Sequence, residues 1–290
     1  MDEEHRTTGA VTLCFEAFGH PDDPLVLLIM GLGLDLLWWR EEFCARLASR
    51  GLRVVRFDNR DVGRSTAFHG PGVSAWQLLT RRPRVTYALA DMADDAAGLI
   101  AGLDPRGAHV VGVSLGALIA QEVAIRHPGL TRSLVSIMGR PGDKGSGRVA
   151  RRMQLEFLRP PAGDPAEALV ATFRRIGSAG RTQADDEDVR ALVRASTRRE
   201  QGDGRGAGRQ LAAILTERDR TADLRGLDVP ALVIHGDRDR IIQPSGGEAT
   251  AAALRGAELL RPPGMGHDLA RHVWPEVLDG IERTALRASR

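Results

Sequence analysis

The chain has 290 residues, of which 42% are hydrophobic and 27% are charged, and its net charge at pH 7 is +2. This composition is that of a globular protein with a sizeable core, and the length suits one α/β domain that carries an insertion. The small net charge argues against binding to nucleic acid or to an anionic membrane surface. Cys14 and Cys44 fit neither a disulfide framework nor a metal-ligand spacing, so we expect two free, buried thiols.

The N-terminal sequence MDEEHRTTGA is acidic and polar, the opposite of a signal peptide. The longest apolar run, residues 24–39, is interrupted by two glycines and an aspartate and does not predict a membrane span. We therefore expect a cytoplasmic protein, monomeric or homodimeric, with no membrane or nucleic-acid partner.

Short runs rich in Val, Ile and Leu predict strands. Residues 10–19 alternate between polar and apolar, which predicts an antiparallel edge hairpin. The later runs are nearly continuous, as is typical of parallel strands covered by helices on both faces. These runs span residues 24–30, 52–58, 109–114, 134–138 and 231–236 and, more weakly, 257–262.

Helical patterns alternate with these strands. One at 36–51 ends at a glycine, and one spans 86–103. In the stretch 115–129 the helical pattern ends before Pro128. Another begins near Trp274 at the C-terminal end. The alternation predicts the α/β class, with a mostly parallel central sheet and helices on both faces.

Residues 140–225 break this alternation with three helical patterns and no strand. The first starts with Asp164 as N-cap and Pro165 in the first turn. We expect this segment to form a helical lid inserted after the sixth strand, between core segments 1–139 and 226–290. Its arginines are interpreted as a solvated surface rather than a site for an acidic substrate; they include Arg151, Arg152, Arg174, Arg175, Arg198 and Arg199.

The sequence GVSLG at residues 112–116 follows a predicted strand and opens a predicted helix. This is the context that the G-x-S-x-G motif requires, because a sharp strand-to-helix turn exposes the serine hydroxyl. The turn also places Ser114 at a helix N-terminus, where backbone N–H groups face developing negative charge. We predict that Ser114 is a nucleophile.

A serine nucleophile needs a base, and the base needs an orienting acid. In this fold type the three residues follow in the order Ser, Asp/Glu, His. The loop after residues 231–236 offers Asp237 and Asp239, and the loop after the last strand offers His267 and His272. We predict Asp239 and His267, since Asp237 suits a loop-bracing role and His272 falls at the start of a helix. Asp143 is a weaker alternative for the acid, because its glycine-rich loop reads as the link into the lid.

The tetrahedral intermediate also needs donors for its oxyanion. The N–H groups of Leu115, next to the nucleophile, and of Leu32, in the MGLG loop after a central strand, are the predicted donors. Trp38, Trp39 and Met138 are candidate walls of the substrate pocket, although at least one of the adjacent tryptophans belongs to the core. No metal or organic cofactor is expected. A dinucleotide site is disfavoured, because neither glycine-containing turn completes G-x-G-x-x-G.

These motifs resemble those of the α/β-hydrolase superfamily. The sequence FDNRDVGRST at 57–66 is similar to the D-x-R-G-x-G-x-S turn of that family, with Asp61 where glycine is more usual. The resemblance implies the α/β-hydrolase fold and a structural role for Asp58 and Arg60. Together with MGLG, GVSLGA and PGMGHDL, the turn looks most like the aclacinomycin methylesterase group, whose members hydrolyse a methyl ester on a polyketide.

The predicted function is therefore ester hydrolysis of a small molecule through an acyl-enzyme on Ser114. The same three residues also suit a lactonase, a carbon–carbon hydrolase or a cofactor-free perhydrolase. Epoxide hydrolase and dehalogenase chemistry is disfavoured, because it requires a carboxylate at position 114. A catalytically inactive ligand-binding relative is the remaining alternative.

Overall fold

The computed structural model describes residues 3–74, 83–150 and 163–288, together with residue 77. Within these residues, eight strands form one sheet in the order β1-β2-β4-β3-β5-β6-β7-β8. Strands β1, β2 and β4 are antiparallel neighbours, and every other pairing is parallel. The strands are β1 Glu4–Thr8, β2 Val11–Phe18, β3 Leu25–Ile29, β4 Arg53–Phe57, β5 Ala108–Val113, β6 Thr131–Ile137, β7 Ala231–Ile234 and β8 Glu258–Leu260.

The α-helices and short 3-10 helices lie between these strands. The 3-10 turns span Leu36–Trp38, Pro128–Leu130 and Arg271–Val273. The α-helices that the structure describes are α1 Glu41–Ala48, α2 Leu89–Leu103, α3 Leu115–Arg126, α4 Pro165–Ile176, α5 Gln183–Arg199, α6 Gly206–Leu215, α7 Thr221–Arg225, α8 Ser245–Ala253 and α9 Trp274–Arg287.

Each central strand contributes side chains to two cores, one on each face of the sheet. Along β3, Leu25, Leu27 and Ile29 pack with residues of α2 and α3, whereas Val26 and Leu28 pack with residues of α1 and α9. All five side chains are fully buried. This double burial is the reason that β3 is a continuous apolar run rather than an alternating one. The predicted parallel sheet with helices on both faces is confirmed.

The predicted edge hairpin at residues 10–19 is wrong in its limits. Residues 11–18 form the single strand β2, which pairs with β1 on one side and β4 on the other. The edge strand is β1, residues 4–8, whose side chains are largely exposed. A polar, solvent-facing edge strand lacks the apolar run on which the strand prediction depended.

The segment between β6 and β7 contains α4 to α7 and, in the residues that the structure describes, no strand. Asp164 caps α4 as predicted, since its carboxylate accepts hydrogen bonds from the N–H groups of Ala166 and Glu167. Arg151 and Arg152 lie outside the described residues. The prediction of a solvated surface is wrong for Arg199, which is 7% exposed and bonds to Asp58.

Candidate active site

The carboxyl ends of β3, β5, β7 and β8 meet at one edge of the sheet, where open α/β sheets hold their ligands. Ser114 follows β5 directly and is half-buried. The loop after β7 carries Asp239, and the loop after β8 carries His267. The topology therefore brings together three residues that are far apart in the sequence.

Two hydrogen bonds connect these side chains. His267 Nε2 lies 2.9 Å from Ser114 Oγ, and His267 Nδ1 lies 2.7 Å from Asp239 Oδ2. The other carboxylate oxygen of Asp239 accepts from the N–H groups of Ile241 and Ile242 at 2.8 and 2.9 Å. These bonds fix the carboxylate so that it can hold one imidazole orientation and one tautomer.

Asp239 is 3% exposed, yet it is arranged to stay ionised. Burial alone would raise its pKa, but the adjacent charge of His267 and hydrogen bonds from His235 and His267 hold the pKa of Asp239 well below its usual range. His235 Nε2 lies 3.4 Å from Asp239 Oδ2 and 2.8 Å from the carbonyl oxygen of Ile242. The sequence prediction did not include His235, because it reads as the end of a buried strand.

The alternative acid and base residues lie elsewhere. Asp237 is exposed, and its carboxylate accepts from the N–H of Gly264 at 2.8 Å, which braces the loop that carries His267. Asp143 bonds only within its own loop, to Gly145 and Ser146, in the described part of the chain. His272 is exposed on a 3-10 turn.

Ser114 occupies a sharp turn that only its glycine neighbours permit. Its φ is 55° and its ψ is −118°, which is unusual for a residue with a side chain. A Cβ on Gly112 would lie 2.0 Å from the carbonyl oxygen of Gly116, and a Cβ on Gly116 would lie 2.0 Å from that of Ile29. The two glycines of GVSLG are therefore required by close backbone contact.

The predicted oxyanion donors lie on either side of Ser114. Leu115 is the first residue of α3, and Leu32 lies in the loop after β3. Among the described residues, neither amide N–H has a hydrogen-bond acceptor. A Cβ on Gly31 would lie 3.4 Å from the Cβ of Ser114, so this loop runs close to the serine.

The three predicted pocket residues differ in accessibility. Trp38 is half-buried and stacks on Phe173 of α4 with ring centroids 5.7 Å apart. Trp39 is 1% exposed and packs on Phe43, so it belongs to the core rather than to an open pocket wall. Met138 is also buried, in the same apolar cluster as Trp39.

A separate cavity of about 500 Å³ lies beside the His267 loop. It contains none of the predicted site residues, and its lining is rich in arginine: Arg174, Arg175, Arg181, Arg238 and Arg240 together with Gly177, Ser178 and Ala179. Arg174 pairs with the carboxylate of Asp186, and Arg181 pairs with that of Asp268.

Cys14 and Cys44 are free and buried, as predicted. Burial raises the pKa of both thiols to about 12, so neither is a reactive nucleophile near neutral pH. Within the described ranges, no group of three or more His, Cys, Asp or Glu residues is arranged to hold a metal ion. None of the described helices is long and apolar enough to cross a membrane.

The sheet order and the serine turn define an α/β hydrolase. Residues 24–270 match the alpha/beta hydrolase fold family, and the chain belongs to that family. It is 28% identical over 291 residues to the rhodomycin D methylesterase DauP of Streptomyces sp. strain C5, with 91% of each chain covered. The chain is also 36% identical over 137 residues to the rhodomycin D methylesterase DnrP of Streptomyces peucetius. That alignment covers 46% of this chain and 41% of DnrP.

A solved structure shares the fold over nearly the whole chain. The enol-lactonase from Burkholderia xenovorans LB400 matches with a TM-score of 0.72 at 21% identity, covering 99% of each chain. At this identity the likeness extends to the fold alone. The family and its esterase relatives support hydrolysis as the general activity.

Proposed function

We propose that this protein is a serine hydrolase that cleaves a carboxylic ester through an acyl-enzyme. The observation that carries the proposal is the pair of contacts from Ser114 to His267 and from His267 to Asp239, at 2.9 and 2.7 Å. A hydroxyl, an imidazole and a buried carboxylate in this order are the groups that acyl transfer requires.

In the proposed mechanism, Ser114 Oγ attacks the ester carbonyl carbon while its proton passes to His267 Nε2. Asp239 stabilises the imidazolium that forms. When the tetrahedral intermediate collapses, His267 gives this proton to the departing alcohol, and the acyl group stays on Ser114. His267 then takes a proton from water, which attacks the acyl-enzyme, and Ser114 recovers its proton as the acid leaves.

The N–H groups of Leu32 and Leu115 are the proposed donors to the oxyanion. Leu115 follows Ser114 in the sequence, and Leu32 follows Gly31, which lies close to Ser114; neither N–H has an acceptor in the part of the chain that the structure describes. Leu115 also opens α3, so the positive end of the helix dipole adds to the stabilisation. Removal of one such donor typically lowers kcat by about 10²- to 10³-fold.

The proposed substrate is a small-molecule ester, and a methyl ester on a polyketide-like scaffold is the specific candidate. The names of the rhodomycin D methylesterase relatives support this class. We further propose that residues 140–225 act as a lid over Ser114. The stacking of Phe173, from this segment, on Trp38, which follows the loop that contains Leu32, supports that role.

The test is a Ser114→Ala variant compared with the wild type and with Ser49→Ala, a change at an exposed serine. We expect the melting temperature of Ser114→Ala to equal that of the wild type. Its kcat for ester hydrolysis should be lower by about 10⁴-fold or more. A fluorophosphonate probe should label the wild type and Ser49→Ala only. A folded Ser114→Ala variant that keeps most of the esterase activity would refute the proposal.

The bond that is cleaved is tested with a substrate panel of methyl esters, p-nitrophenyl esters and lactones. We expect Ser114-dependent hydrolysis of the methyl esters. Preferential hydrolysis of lactones would keep the serine mechanism but replace the proposed substrate class.

A further inference from the structure

Gln210 connects the helical segment, residues 140–225, to the loop that contains Leu32, one of the two proposed oxyanion donors. It lies on α6 and is fully buried. Its Oε1 accepts a hydrogen bond from the N–H of Gly33, and its Nε2 donates to the carbonyl oxygen of Arg60, both at 2.9 Å. One side-chain amide therefore joins α6, the loop after β3 and the turn after β4.

The bond to Gly33 acts on the backbone that carries the Leu32 N–H. The N–H of Leu34 donates to the carbonyl oxygen of Gly31 at 3.4 Å. In a trans peptide the C=O and N–H point in opposite directions, so this bond directs the N–H of Leu32 away from Leu34. Gln210 holds the next peptide plane, and the two bonds together limit rotation on both sides of Leu32.

The turn after β4 supports the same loop from its other end. Asn59 Nδ2 donates to the carbonyl oxygen of Met30 at 3.0 Å, directly before the glycine that passes close to Ser114. Asn59 reaches its end of the loop directly, whereas the carbonyl of Arg60 reaches Gly33 only through Gln210. Loss of Gln210 would release one end of the loop and leave the other end held.

The position of α6 is itself fixed by close packing. A Cβ on Gly206 would lie 2.0 Å from the carbonyl oxygen of Asp61, and a Cβ on Gly33 would lie 2.9 Å from the Cβ of Ala207. Arg209, which directly precedes Gln210 on the helix, forms a buried ion pair with Asp61. The amide of Gln210 is thus presented to the loop by a helix with little freedom to move.

We infer that Gln210 is a positioning residue for the oxyanion hole, so that the helical segment supports catalysis as well as covering the site. This inference rests on the proposed ester hydrolysis. An oxyanion donor acts on charge that develops in the transition state, so its orientation affects kcat more than substrate binding. Misplacement of a reacting group by about 1 Å can cost 10²-fold in rate.

The test replaces Gln210 by methionine, which keeps the shape and removes both hydrogen bonds. We expect kcat for ester hydrolysis to fall by about 10- to 100-fold with KM within about threefold of the wild type. The affinity for a boronic acid that forms a tetrahedral adduct with Ser114 should weaken by a similar factor. The matched control is Gln121→Met, since Gln121 is also fully buried and also bonds through both amide atoms, to Ser136 and Arg220.

A second variant, Gln210→Glu, adds a pH readout. A neutral carboxyl group can accept from Gly33 and donate to Arg60, whereas a carboxylate cannot donate. Burial favours the neutral form. We therefore expect the ratio of variant to wild-type kcat to rise as the pH is lowered, which loss of packing alone would not produce.

The outcomes separate this inference from the proposed function. Suppose that the wild type shows Ser114-dependent hydrolysis and that the kcat of Gln210→Met is within about threefold of the kcat of Gln121→Met. This result overturns the role of Gln210 and leaves the proposed function standing. A wild type without Ser114-dependent hydrolysis overturns the proposed function and this inference with it. If Gln210→Met does not fold, the Gln210→Glu ratio decides, and a ratio that is constant over the pH range in which the new carboxyl group ionises refutes the inference.

Discussion

Asp61 and Arg209 form a two-bond ion pair in which both side chains are buried. Arg209 Nε lies 2.8 Å from Asp61 Oδ2, and Arg209 Nη2 lies 2.9 Å from Asp61 Oδ1. Asp61 has a φ of 70°, a backbone conformation that suits glycine better, and glycine is more usual there in the sequences that this turn resembles. The carboxylate gives that position a function, because it joins the turn after β4 to α6.

Arg209→Leu should strongly destabilise the fold. It would leave the buried carboxylate of Asp61 without its cation, although the hydroxyl of Tyr87 still donates to it at 2.7 Å. Breaking a buried pair in this way typically costs about 3–5 kcal/mol. We expect the free energy of unfolding, measured by urea denaturation, to fall by about that amount.

The control for Arg209→Leu is Arg198→Leu, the same change at an exposed position of α5. A surface change of this kind usually alters stability by less than about 0.5 kcal/mol. If both variants had the same stability, the Asp61–Arg209 pair would not anchor α6.

Burial explains which elements the sequence revealed. Strands β3 and β5 are covered on both faces and could be predicted from their apolar runs alone. Helix α8 was missed, since Gly246 and Gly247 lie in its first turn and lower its helical propensity. The edge strand β1 was missed because its outward side chains leave no apolar pattern.

The residues of the candidate site also differ in whether the sequence reveals them. Ser114, Asp239 and His267 could be named because each follows a recognisable strand and the order of motifs is fixed by the fold type. Gln210 could not be named from the sequence, because its partner Gly33 is 177 positions away and no local pattern links the two residues. The available signal was a pair of polar residues, Arg209 and Gln210, directly before the apolar end of a short helical run.

Asp239→Asn should lower kcat by about 10⁴-fold and change the free energy of unfolding little. An asparagine keeps the size of the side chain but favours the wrong tautomer of His267, as in serine proteases. The control is Asp237→Asn, two residues away, which keeps an oxygen that can accept from Gly264. We expect this control to stay within about threefold of the wild type. Equal kinetics for the two variants would contradict the role of Asp239.

Ser114→Gly should be more stable than Ser114→Ala by about 1 kcal/mol. At φ 55° a glycine relieves strain that an alanine retains, and both changes remove the hydroxyl. Thermal or urea unfolding of the two inactive variants measures the difference without any need for substrate.

The same pair of changes at Ser136 provides the control for backbone strain. Ser136 is buried in β6, next to its last residue, and pairs with β5 on one side and β7 on the other, so a glycine there weakens the strand. We expect Ser136→Gly to be less stable than Ser136→Ala, the reverse of the order at Ser114. The same order at both positions would argue against strain at the serine turn.

His109 should make the fold less stable as the pH falls from about 6.5 to about 4. The ring is 1% exposed, and burial together with the charge of Arg132 lowers its pKa to about 4. Its Nδ1 lies 2.9 Å from Ser133 Oγ, whereas its Nε2 has no partner among the described residues, so protonation would bury an unpaired donor. Between these pH values the unfolded chain binds a proton that the native protein does not.

This contribution is fully present above about pH 6.5 and is lost as the pH falls through the folded pKa of about 4. The shift corresponds to about 3 kcal/mol of the free energy of unfolding. His109→Gln should remove that part of the pH dependence in urea unfolding, because glutamine does not titrate. His272→Gln, a change at an exposed histidine, should leave the dependence unchanged. A His109→Gln variant with the full wild-type slope between pH 6.5 and 4 would show that His109 is protonated in the folded state as readily as in the unfolded chain.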